Sequence, residues 1–534
     1  MANKSLFAAG VSRFSIPKTN TINEAGAKAY SFSPEHALAQ YAVTGVFQNT
    51  FYTSAKNQLD KVLALVGRIK DASFIGKLAV YARQNGNMKD VPAFLVASLV
   101  TRPDGADVFK KVFHRVINDG KMLRNFVQIM RSGVIGRKSL GTMSKKAVAS
   151  WFSKRDADKI FTNSIGNDPS FVDILKLAHV CPSSKNHEAT FAYLMDKIEE
   201  DGKKSLKRYL PESIKAYEAF KKNPEEAAVP NIPFQFLASL EIPERVWKEI
   251  AKNCSWQTLR MNLNTFDRHG VMKDKKMIQL IAERLANVEE IQKSKVFPYQ
   301  LFVAYNNYRG SLPAIENALQ DALDASLVNI PSFGDNVFVC PDVSGSMGSP
   351  ITGDRGTATS VVRCIDVAAL IASAILRKNK NAIIVPFENS VVNIKLNARD
   401  SVMTNAQKLS SIGGGGTNCS AALEYILKSG SKVDTIIYVS DNQSWMDNGA
   451  WGGECHFGSG KQGTRGMELW SKVKANNRSA KLVCIDLQPY MDTQFKERED
   501  ILNVGGFSDT VFDVIEAFVS IGDSWVEKIN SVEF

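Results

Sequence analysis

The hydrophobic period of this 534-residue chain changes once, near residue 326. Between about residues 34 and 325, apolar residues recur at the spacing of an amphipathic helix, as in "LDKVLALVGRIK" and "KKMIQLIAERLANV". Further along, they gather into short β-rich runs, "NVFVCPD", "NAIIVPFE", "DTIIYVSD" and "AKLVCIDL", separated by helix-like segments. The sequence therefore predicts two parts of different fold class.

The first part is expected to be all-α. Strand-like alternation is almost absent, and Gly, Pro, Asn or Asp separates successive helical stretches. Many short helices without a compact four-helix pattern favour helix pairs stacked as irregular repeats. We therefore predict a multidomain chain that begins with a helical-repeat domain over residues 1–325.

The second part is expected to be a doubly wound α/β domain over residues 326–534. Near-continuous apolar strands that alternate with helices are typical of a mostly parallel sheet covered on both faces. In such open sheets, ligands bind beyond the carboxyl ends of the strands. Polar side chains that follow those strands are therefore the first candidates for a site.

The net charge of +11 is distributed unevenly along the chain. Residues 1–325 hold 47 Lys and Arg against 32 Asp and Glu, whereas residues 326–534 hold 19 against 23. Residues 1–150 alone hold 22 basic and 8 acidic side chains. This asymmetry favours a polyanion-binding module in the first part, although solvated charge on helix surfaces is an alternative.

Composition places the chain among ordered globular proteins. It is 44% hydrophobic and 23% charged, it lacks the run of about 18 apolar residues that a spanning helix needs, and its start has no signal-peptide core. We therefore expect a cytoplasmic protein without a membrane partner. The seven cysteines show no paired spacing and are expected to be reduced.

Five oxygen-bearing side chains follow predicted strand ends. Asp342, Ser344 and Ser346 come after the first strand, Thr417 leaves the glycine-rich "SIGGGGTNCS", and Asp441 comes after "YVS". Two carboxylates and three hydroxyls are hard ligands, and they suit Mg²⁺ best among divalent cations. Alternatively, these residues only cap helices and turns. A phosphate-binding loop is disfavoured, because no Gly-Lys-Ser/Thr follows the glycines.

The densest candidate for phosphate contacts is "RSGVIGRKSLGTMSKKAVASWF". Its cations can pair with phosphates, and exposed amides at a helix start can add to the anion site. They are Arg131, Arg137, Lys138, Lys145 and Lys146. Trp151 and Phe152, which follow, fit the apolar face of a helix better than a base-stacking platform.

Both parts resemble known families. The set Asp342, Ser344, Ser346, Thr417 and Asp441 resembles the metal-ion-dependent adhesion site (MIDAS) of von Willebrand factor A (vWA) domains. Segments of the first part resemble the TROVE module of Ro autoantigens, among them "HALAQYAVTGVFQNTFYTS", "VDILKLAHVCPSS" and "PERVWKEIAKNCSWQTLRMNLNTFDRHGVM". The chain is thus similar to bacterial or phage-borne Ro-like proteins over nearly its whole length.

The resemblance implies a monomeric ring of HEAT-like helix pairs whose ends are bridged by the A domain. It also implies small noncoding Y RNA on the outer surface, single-stranded 3′ ends of misfolded RNA in the central hole, and an exoribonuclease as a possible partner. His179 matches a family histidine on the Y RNA surface, and Lys176 lies beside it. The segment upstream, "FTNSIGNDPSFV", is poorer in basic residues than the animal pattern.

Three function classes remain open. The first is a non-enzymatic RNA-binding protein that forms a ribonucleoprotein and serves RNA quality control. The second is a protein–protein scaffold in which the cation takes a partner's carboxylate, and the charge asymmetry disfavours it as a complete account. The third is a metal-dependent nuclease, for which two carboxylates and three hydroxyls are a poor supply of ligands.

Overall fold

The structure is a computed structural model. It describes residues 16–45, 47–198, 205–294, 296, 298–327, 330–331, 333–353, 362–445, 463–507, 510–520, 522 and 524–534. These residues form two compact units, each made from separate stretches of the chain. The first unit comprises Met1–Ile69, Val296–Val303 and Leu323–Val532, and the second comprises Lys70–Lys295, Ala304–Ala322 and Glu533–Phe534. The sequence-based boundary between residues 325 and 326 stays a prediction.

Nineteen α-helices precede the first strand of the α/β region within the described residues. They are α1 Pro34–Thr44, α2 Ala55–Arg68, α3 Ala72–Gln84, α4 Asp90–Leu99, α5 Ala106–Val116, α6 Gly120–Ser132, α7 Gly141–Ser153, α8 Ala157–Asn163, α9 Phe171–Ala178, α10 Lys185–Leu194, α11 Glu212–Lys222, α12 Phe234–Leu237, α13 Glu244–Asn253, α14 Trp256–Met261, α15 Leu263–Arg268, α16 Lys275–Leu285, α17 Val288–Ser294, α18 Pro298–Asn307 and α19 Pro313–Ser326.

Local signals set the ends of these helices. Helix α6 begins after Asp119, whose carboxylate accepts from the Met122 amide, and ends at Gly133 in the left-handed region (φ 89°). Helix α9 begins with a capping box in which Ser170 and Asp173 satisfy each other's backbone amides. The predicted helical character of the first part is confirmed for the described residues from Pro34 onward, whereas two short strands precede α1.

A five-stranded parallel sheet forms the core of the first unit. Its strands are β3 Val337–Pro341, β4 Ile383–Ile384, β5 Thr435–Ser440, β6 Lys481–Asp486 and β8 Ile501–Gly505, and their order is β4-β3-β5-β6-β8. The helices of this region are α20 Cys364–Lys378, α21 Val402–Ser410, α22 Cys419–Ser429, α23 Arg465–Asn476, α24 Thr510–Ser520 and α25 Trp525–Asn530.

Every residue of the central strands β3 and β5 is buried, so side chains on both faces of the sheet are covered. On one face Phe338 and Tyr438 share a core cluster with Leu423 of α22 and Trp470 of α23. The predicted fold class, a helical region followed by a doubly wound α/β domain, is confirmed.

A small second sheet was not predicted from the sequence. It joins β1 Thr21–Ile22, β2 Lys28–Ser31 and β7 Asp492–Thr493 in antiparallel order β1-β2-β7. Two of these strands have only two residues, which is too short for a hydrophobic period to be visible. This sheet connects residues near the start of the chain to the α/β fold.

The six described cysteines form no disulfide, and the seventh, Cys455, lies outside the described residues. In the part of the chain that the structure describes, no helix is both long enough and apolar enough to cross a membrane.

Candidate metal centre and nucleic-acid interface

The sheet topology brings both predicted aspartates to one edge. The chain runs from β3 to β4 on one side and then returns to β5 on the other, so the strand order reverses at β3. Such a reversal opens a crevice at the carboxyl ends of the two strands. Asp342 follows β3 and Asp441 follows β5, and the Asp342 amide donates to the Val439 carbonyl at 3.0 Å.

The five predicted ligands lie together at this edge. The Thr417 hydroxyl donates to the Ser344 hydroxyl at 3.0 Å, and the Ser344 and Ser346 hydroxyls are 3.3 Å apart. The Ser346 hydroxyl also interacts with the Asp441 carboxylate. All five side chains are buried, with at most 4% of any residue exposed. Their role as ligands stays a prediction.

Turn formation accounts for only some of these oxygens. Asp342 Oδ1 accepts from the Ser344 amide at 2.9 Å, and Asp441 Oδ1 accepts from the Gln443 amide at 3.3 Å. Ser344 precedes a 3₁₀ turn but makes no side-chain cap, and Asn418, not Thr417, caps α22. Among the described residues, Asp441 Oδ2 is buried without a hydrogen-bond partner. Capping alone therefore leaves the clustered hydroxyls and one carboxylate oxygen unexplained.

The electrostatics of the site favour a cation. Burial raises the pKa of Asp342, and the neighbouring Asp441 carboxylate raises it further. Burial also raises the pKa of Asp441, and no lysine or arginine of the described chain contributes to that shift. Two desolvated carboxylates without a positive neighbour need a proton or a metal ion. The donor set therefore fits a divalent cation that prefers oxygen ligands.

The glycine-rich loop is shaped by close backbone approaches. The Gly345 amide donates to the Gly415 carbonyl at 2.9 Å, and the Gly415 amide donates to Glu388 Oε2 at 2.8 Å. A Cβ on Gly415 would lie 2.7 Å from both Asn389 Nδ2 and the Glu388 carboxyl carbon. A side chain at this position would therefore require the ends of the Asn389 and Glu388 side chains to move.

Sequence analysis missed one residue of this site. The Ser440 hydroxyl donates to Asp342 Oδ2 at 2.6 Å, so both oxygens of Asp342 are engaged. The serine directly precedes Asp441 at the end of β5, a position that could have been noticed. Within the described residues, no group of three or more His, Cys, Asp or Glu side chains could hold a metal ion. A cation at this edge would therefore depend on the hydroxyl ligands as well.

The predicted phosphate-binding residues lie on α6, α7, α9 and their connections. Arg131 is in the last turn of α6, Lys145 and Lys146 are near the start of α7, and Lys176 is in the last turn of α9. Arg137 and Lys138 lie in the loop between α6 and α7. Among the described residues, none of these six cations forms an ion pair within 4 Å, in contrast to Lys110 and Lys185. Arg137 and Lys145 are half-buried and the other four are exposed.

Some of these cations are demonstrably close to one another. The pKa of Asp173 is held below its usual range, first by hydrogen bonds from Ser170 and then by the charges of Lys176 and Arg131. The ends of α6 and α9 therefore share one charged surface. The guanidinium of Arg137 lies over Gly141, the first residue of α7, whose start has no side-chain cap. Within the described residues, no hydrogen bond or ion pair joins Lys145 or Lys146 to this group.

The core beneath this surface is aromatic. Trp151 and Phe152 are buried, as predicted, and the Trp151 indole donates to the Ile117 carbonyl at 2.8 Å. Phe171 of α9 packs against both, with ring centroids 5.7 and 5.3 Å away. These rings fix α7 against α9 and are not available for stacking on bases.

His179 is exposed at the end of α9. It is the C-cap residue and adopts the left-handed conformation (φ 52°, ψ 51°), which is uncommon for a residue with a side chain. Its backbone amide donates to the Leu175 and Lys176 carbonyls, so the helix ends at this residue. The backbone of His179 is therefore held in place at the end of α9, three residues after Lys176.

Two segments match domains of known families. Residues 336–450 match the Ro60 vWA domain, and residues 235–329 match the TROVE domain. The TROVE match lies after the seven candidate RNA contacts along the chain, so it does not test them. The vWA match contains all five candidate metal ligands.

Similar proteins are found along nearly the full length. A protein of Deinococcus radiodurans named RNA-binding protein RO60 is 25% identical over 532 residues, which covers 93% of this chain and 94% of that protein. A protein of the same name from Caenorhabditis elegans is 24% identical over 262 residues, covering 46% of this chain and 37% of that protein. The crystal structure of the D. radiodurans RO (RSR) protein has the same fold, with a TM-score of 0.62 and 21% sequence identity. The match covers 91% of this chain and 99% of that one.

Proposed function

Because the chain is Ro-like and combines a TROVE domain with a Ro60-type vWA domain, we propose that it is an RNA-binding protein. The observation that carries this proposal is the 25% identity, over 93% of the chain, to a protein named for RNA binding. The charge distribution supports it independently, because the basic excess is concentrated in residues 1–150.

The proposed RNA surface comprises Arg131, Arg137, Lys138, Lys145, Lys146, Lys176 and His179. Its cations are free of intramolecular ion pairs among the described residues, so phosphate binding does not require a salt bridge to be broken. Each lysine or arginine that contacts a phosphate releases condensed counterions, which gives affinity without sequence preference. The rigid aromatic layer beneath helps to keep the surface in one shape.

The finer ligands follow from the resemblance to Ro proteins. We infer a small noncoding Y-like RNA on this outer surface and single-stranded 3′ ends of misfolded RNA in the hole of a monomeric ring. The protein then acts without catalysis, in the cytoplasm, as a ribonucleoprotein for RNA quality control, with an exoribonuclease as a partner.

We also propose a divalent cation, Mg²⁺, held by Asp342, Ser344, Ser346, Thr417 and Asp441. When bound, the cation would supply the positive charge that the two buried carboxylates lack. The unpartnered Asp441 Oδ2 and the clustered hydroxyls support this assignment. The five ligands come from three loops: the loop after β3, the loop after β5 and the glycine-rich loop. A cation bound to all five would hold these loops together and stabilise this edge of the sheet.

Purification at low and at high salt, followed by RNA extraction and sequencing, tests the RNA proposal. A discrete small RNA should copurify at low salt and be depleted at high salt, because phosphate contacts weaken with ionic strength. Recovery of the protein free of RNA under both conditions, together with capture of a protein partner only in Mg²⁺, would support the scaffold alternative instead.

A further inference from the structure

We propose that Tyr52 closes the candidate cation site from within the chain. The cation would then clamp residues 47–53 against the sheet edge and would not capture a carboxylate from a partner protein. This inference rests on the cation site proposed above and adds to it a residue and a loop that the sequence motif does not contain.

Tyr52 is in direct reach of the predicted ligands. Its phenol interacts with the Ser346 hydroxyl, although the two residues are almost 300 positions apart in sequence. The charges of Asp441 and Asp342 both act on the Tyr52 phenol, which therefore lies near the two carboxylates. A phenol of this chain therefore lies beside the candidate ligands.

The loop that carries Tyr52 has its own internal bonds. It connects α1 to α2, and the Thr50 amide and hydroxyl both donate to the Thr53 carbonyl, at 2.9 and 3.2 Å. Asn49 Oδ1 accepts from the Ala55 amide at 2.9 Å, and the Gln48 carbonyl accepts from Gln58 Nε2 at 2.7 Å. The start of α2 thus holds the loop in a defined shape.

The same loop is pressed against the chain that follows the candidate ligands. A Cβ on Gly353, which has φ +70°, would lie 2.3 Å from Gln48 Cβ and 3.0 Å from the Asn49 carbonyl oxygen. No side chain fits there without displacing the loop. Residue 353 is therefore a glycine for two reasons: its conformation and this close approach.

A second support for Tyr52 comes from the chain after β6. The Tyr52 ring meets Tyr490 edge to face, with centroids 6.2 Å apart and planes at 68°. The Tyr490 hydroxyl donates to Gln488 Oε1 at 2.8 Å, and Gln488 Nε2 donates to the Ser349 hydroxyl at 2.9 Å. Ser349 ends the 3₁₀ turn that contains Ser346. The contacts from Tyr52 through Tyr490 and Gln488 therefore lead back to the loop that carries a candidate ligand.

The start of the described chain also covers the loop after β5. Asn23 Nδ2 donates to the Ser444 carbonyl at 2.8 Å, and the Glu24 amide donates to Gln443 Oε1 at 2.9 Å. Gln443 and Ser444 lie two and three residues after Asp441. Both loops that supply the two aspartates are therefore contacted by residues from the first 69 positions.

Manganese binding to the full-length chain tests the inference, with Mn²⁺ in place of Mg²⁺ and water-proton relaxation as the measurement. Wild-type protein should bind Mn²⁺ with a low relaxation enhancement that acetate does not change, because Tyr52 restricts access of water and carboxylate. Tyr52→Ala should raise the enhancement roughly twofold, since Mg²⁺-type sites keep exchangeable waters, and acetate should lower it again. Phe51→Ala is the matched control, because the neighbouring Phe51 is 57% exposed.

Hydrogen exchange of residues 47–53 in the wild-type chain is the second measurement and needs no variant. Saturating Mg²⁺ should slow exchange there, while Asp342→Ala should show no Mg²⁺ effect. If Mn²⁺ binds but wild type and Tyr52→Ala respond identically to acetate, the closure is wrong and the cation site stands. If Mn²⁺ does not bind wild type, the cation site and the closure are both wrong.

Discussion

The two buried aspartates of the candidate cation site differ in their hydrogen bonds. Both oxygens of Asp342 are engaged, by the Ser344 amide and the Ser440 hydroxyl, whereas Asp441 keeps Oδ2 unpartnered among the described residues. The sequence motif predicted which residues would gather here, because strand ends and spacing are visible in the chain. It missed Ser440, although this serine stands next to Asp441, and it did not indicate the proposed role of Tyr52, because a contact with so distant a part of the chain has no local sequence signal.

Replacing Asp342 tests the cation directly. Asp342→Ala should abolish the thermal stabilisation that Mg²⁺ gives the wild-type protein, because one of two carboxylates is lost, and it should leave RNA affinity largely intact. Melting temperature with and without Mg²⁺ is the measurement, and Asp513→Ala, which removes an exposed carboxylate, is the control. A normal Mg²⁺ response in Asp342→Ala would contradict the assignment.

The buried carboxyl group of Glu497 should make the stability of the protein depend on pH. Burial raises its pKa from 4.5 to about 7, although Asn503 donates to its carboxylate from both amide groups. The folded state therefore holds this proton more tightly than the unfolded state, so stability falls as pH rises from about 4.5 to about 7.

Glu497→Gln should remove the loss of stability that wild type shows as pH rises, because glutamine does not titrate. Relative to wild type, its free energy of unfolding should be higher by roughly 3 kcal/mol at pH 8 and by little at pH 4. Melting temperatures of both proteins across this range are the measurement. Parallel curves at all pH values would show that Glu497 titrates normally.

His179 separates two kinds of RNA ligand. His179→Ser should weaken a Y-like RNA, while binding of a misfolded RNA with a single-stranded tail should persist. His179→Asn is the matched variant, because asparagine tolerates the left-handed backbone that this C-cap requires. Equal loss of both RNAs in a filter-binding assay, rescued by asparagine, would assign the histidine to the fold alone.

At the scale of elements, long periodic segments were predictable and short ones were not. The four apolar runs recognised in the sequence contain β3, β4, β5 and β6, and the runs "SVVRCIDVAALIASAILRK" and "SAALEYILKSG" contain α20 and most of α22. Strand β8, "ILNVG", was missed because the polar Asn503 interrupts a five-residue run. The sheet β1-β2-β7 was missed because its strands are short and because the pairing of β2 with the distant β7 depends on tertiary structure, not on local pattern.

Helix α7 provides the electrostatic test at this scale. Replacing Lys145 and Lys146 with alanine should weaken RNAs of different sequence about equally. If both lysines contact phosphates, the double substitution should reduce the magnitude of the slope of log affinity against log salt concentration by about 1.4–1.8. Salt titrations of RNA binding measure this slope.

The control is a double alanine variant at Lys110 and Lys185, two exposed lysines that are already paired with Asp107 and Glu188. It should leave the slope nearly unchanged. An unchanged slope in the Lys145 and Lys146 variant would mean that these lysines are solvated surface.

For the whole molecule, the charge asymmetry and the change of hydrophobic period indicated two functions in one chain. The RNA and cation proposals involve different residue sets, so variants of one should spare the other. What the period could not indicate is that Met1–Ile69 belongs to the same compact unit as the sheet. Gln40 of α1, for example, donates to Asp486 at 2.8 Å inside that unit, and nothing in either segment identifies its partner.

The proposed ring predicts a preference among RNA shapes. Structured RNA with a free single-stranded 3′ end should bind more tightly than the same duplex with blunt ends, because A-form RNA is wide and its bases are hidden. Competition between the two forms, labelled equally and measured at one salt concentration, tests this. Equal affinity would restrict binding to the outer surface.

The pairing of β2 with β7, and of Gln40 with Asp486, also sets an order of events during synthesis. Gln40 leaves the ribosome 446 residues before its partner. At about 5–20 residues per second, that interval is roughly 20 to 90 s. Strand β2 therefore spends this time with an unpaired edge, while complete helices form behind it. Strand β2 therefore reaches its native pairing only after β7 has been made, and any factor that protects nascent strands can act on it throughout that interval.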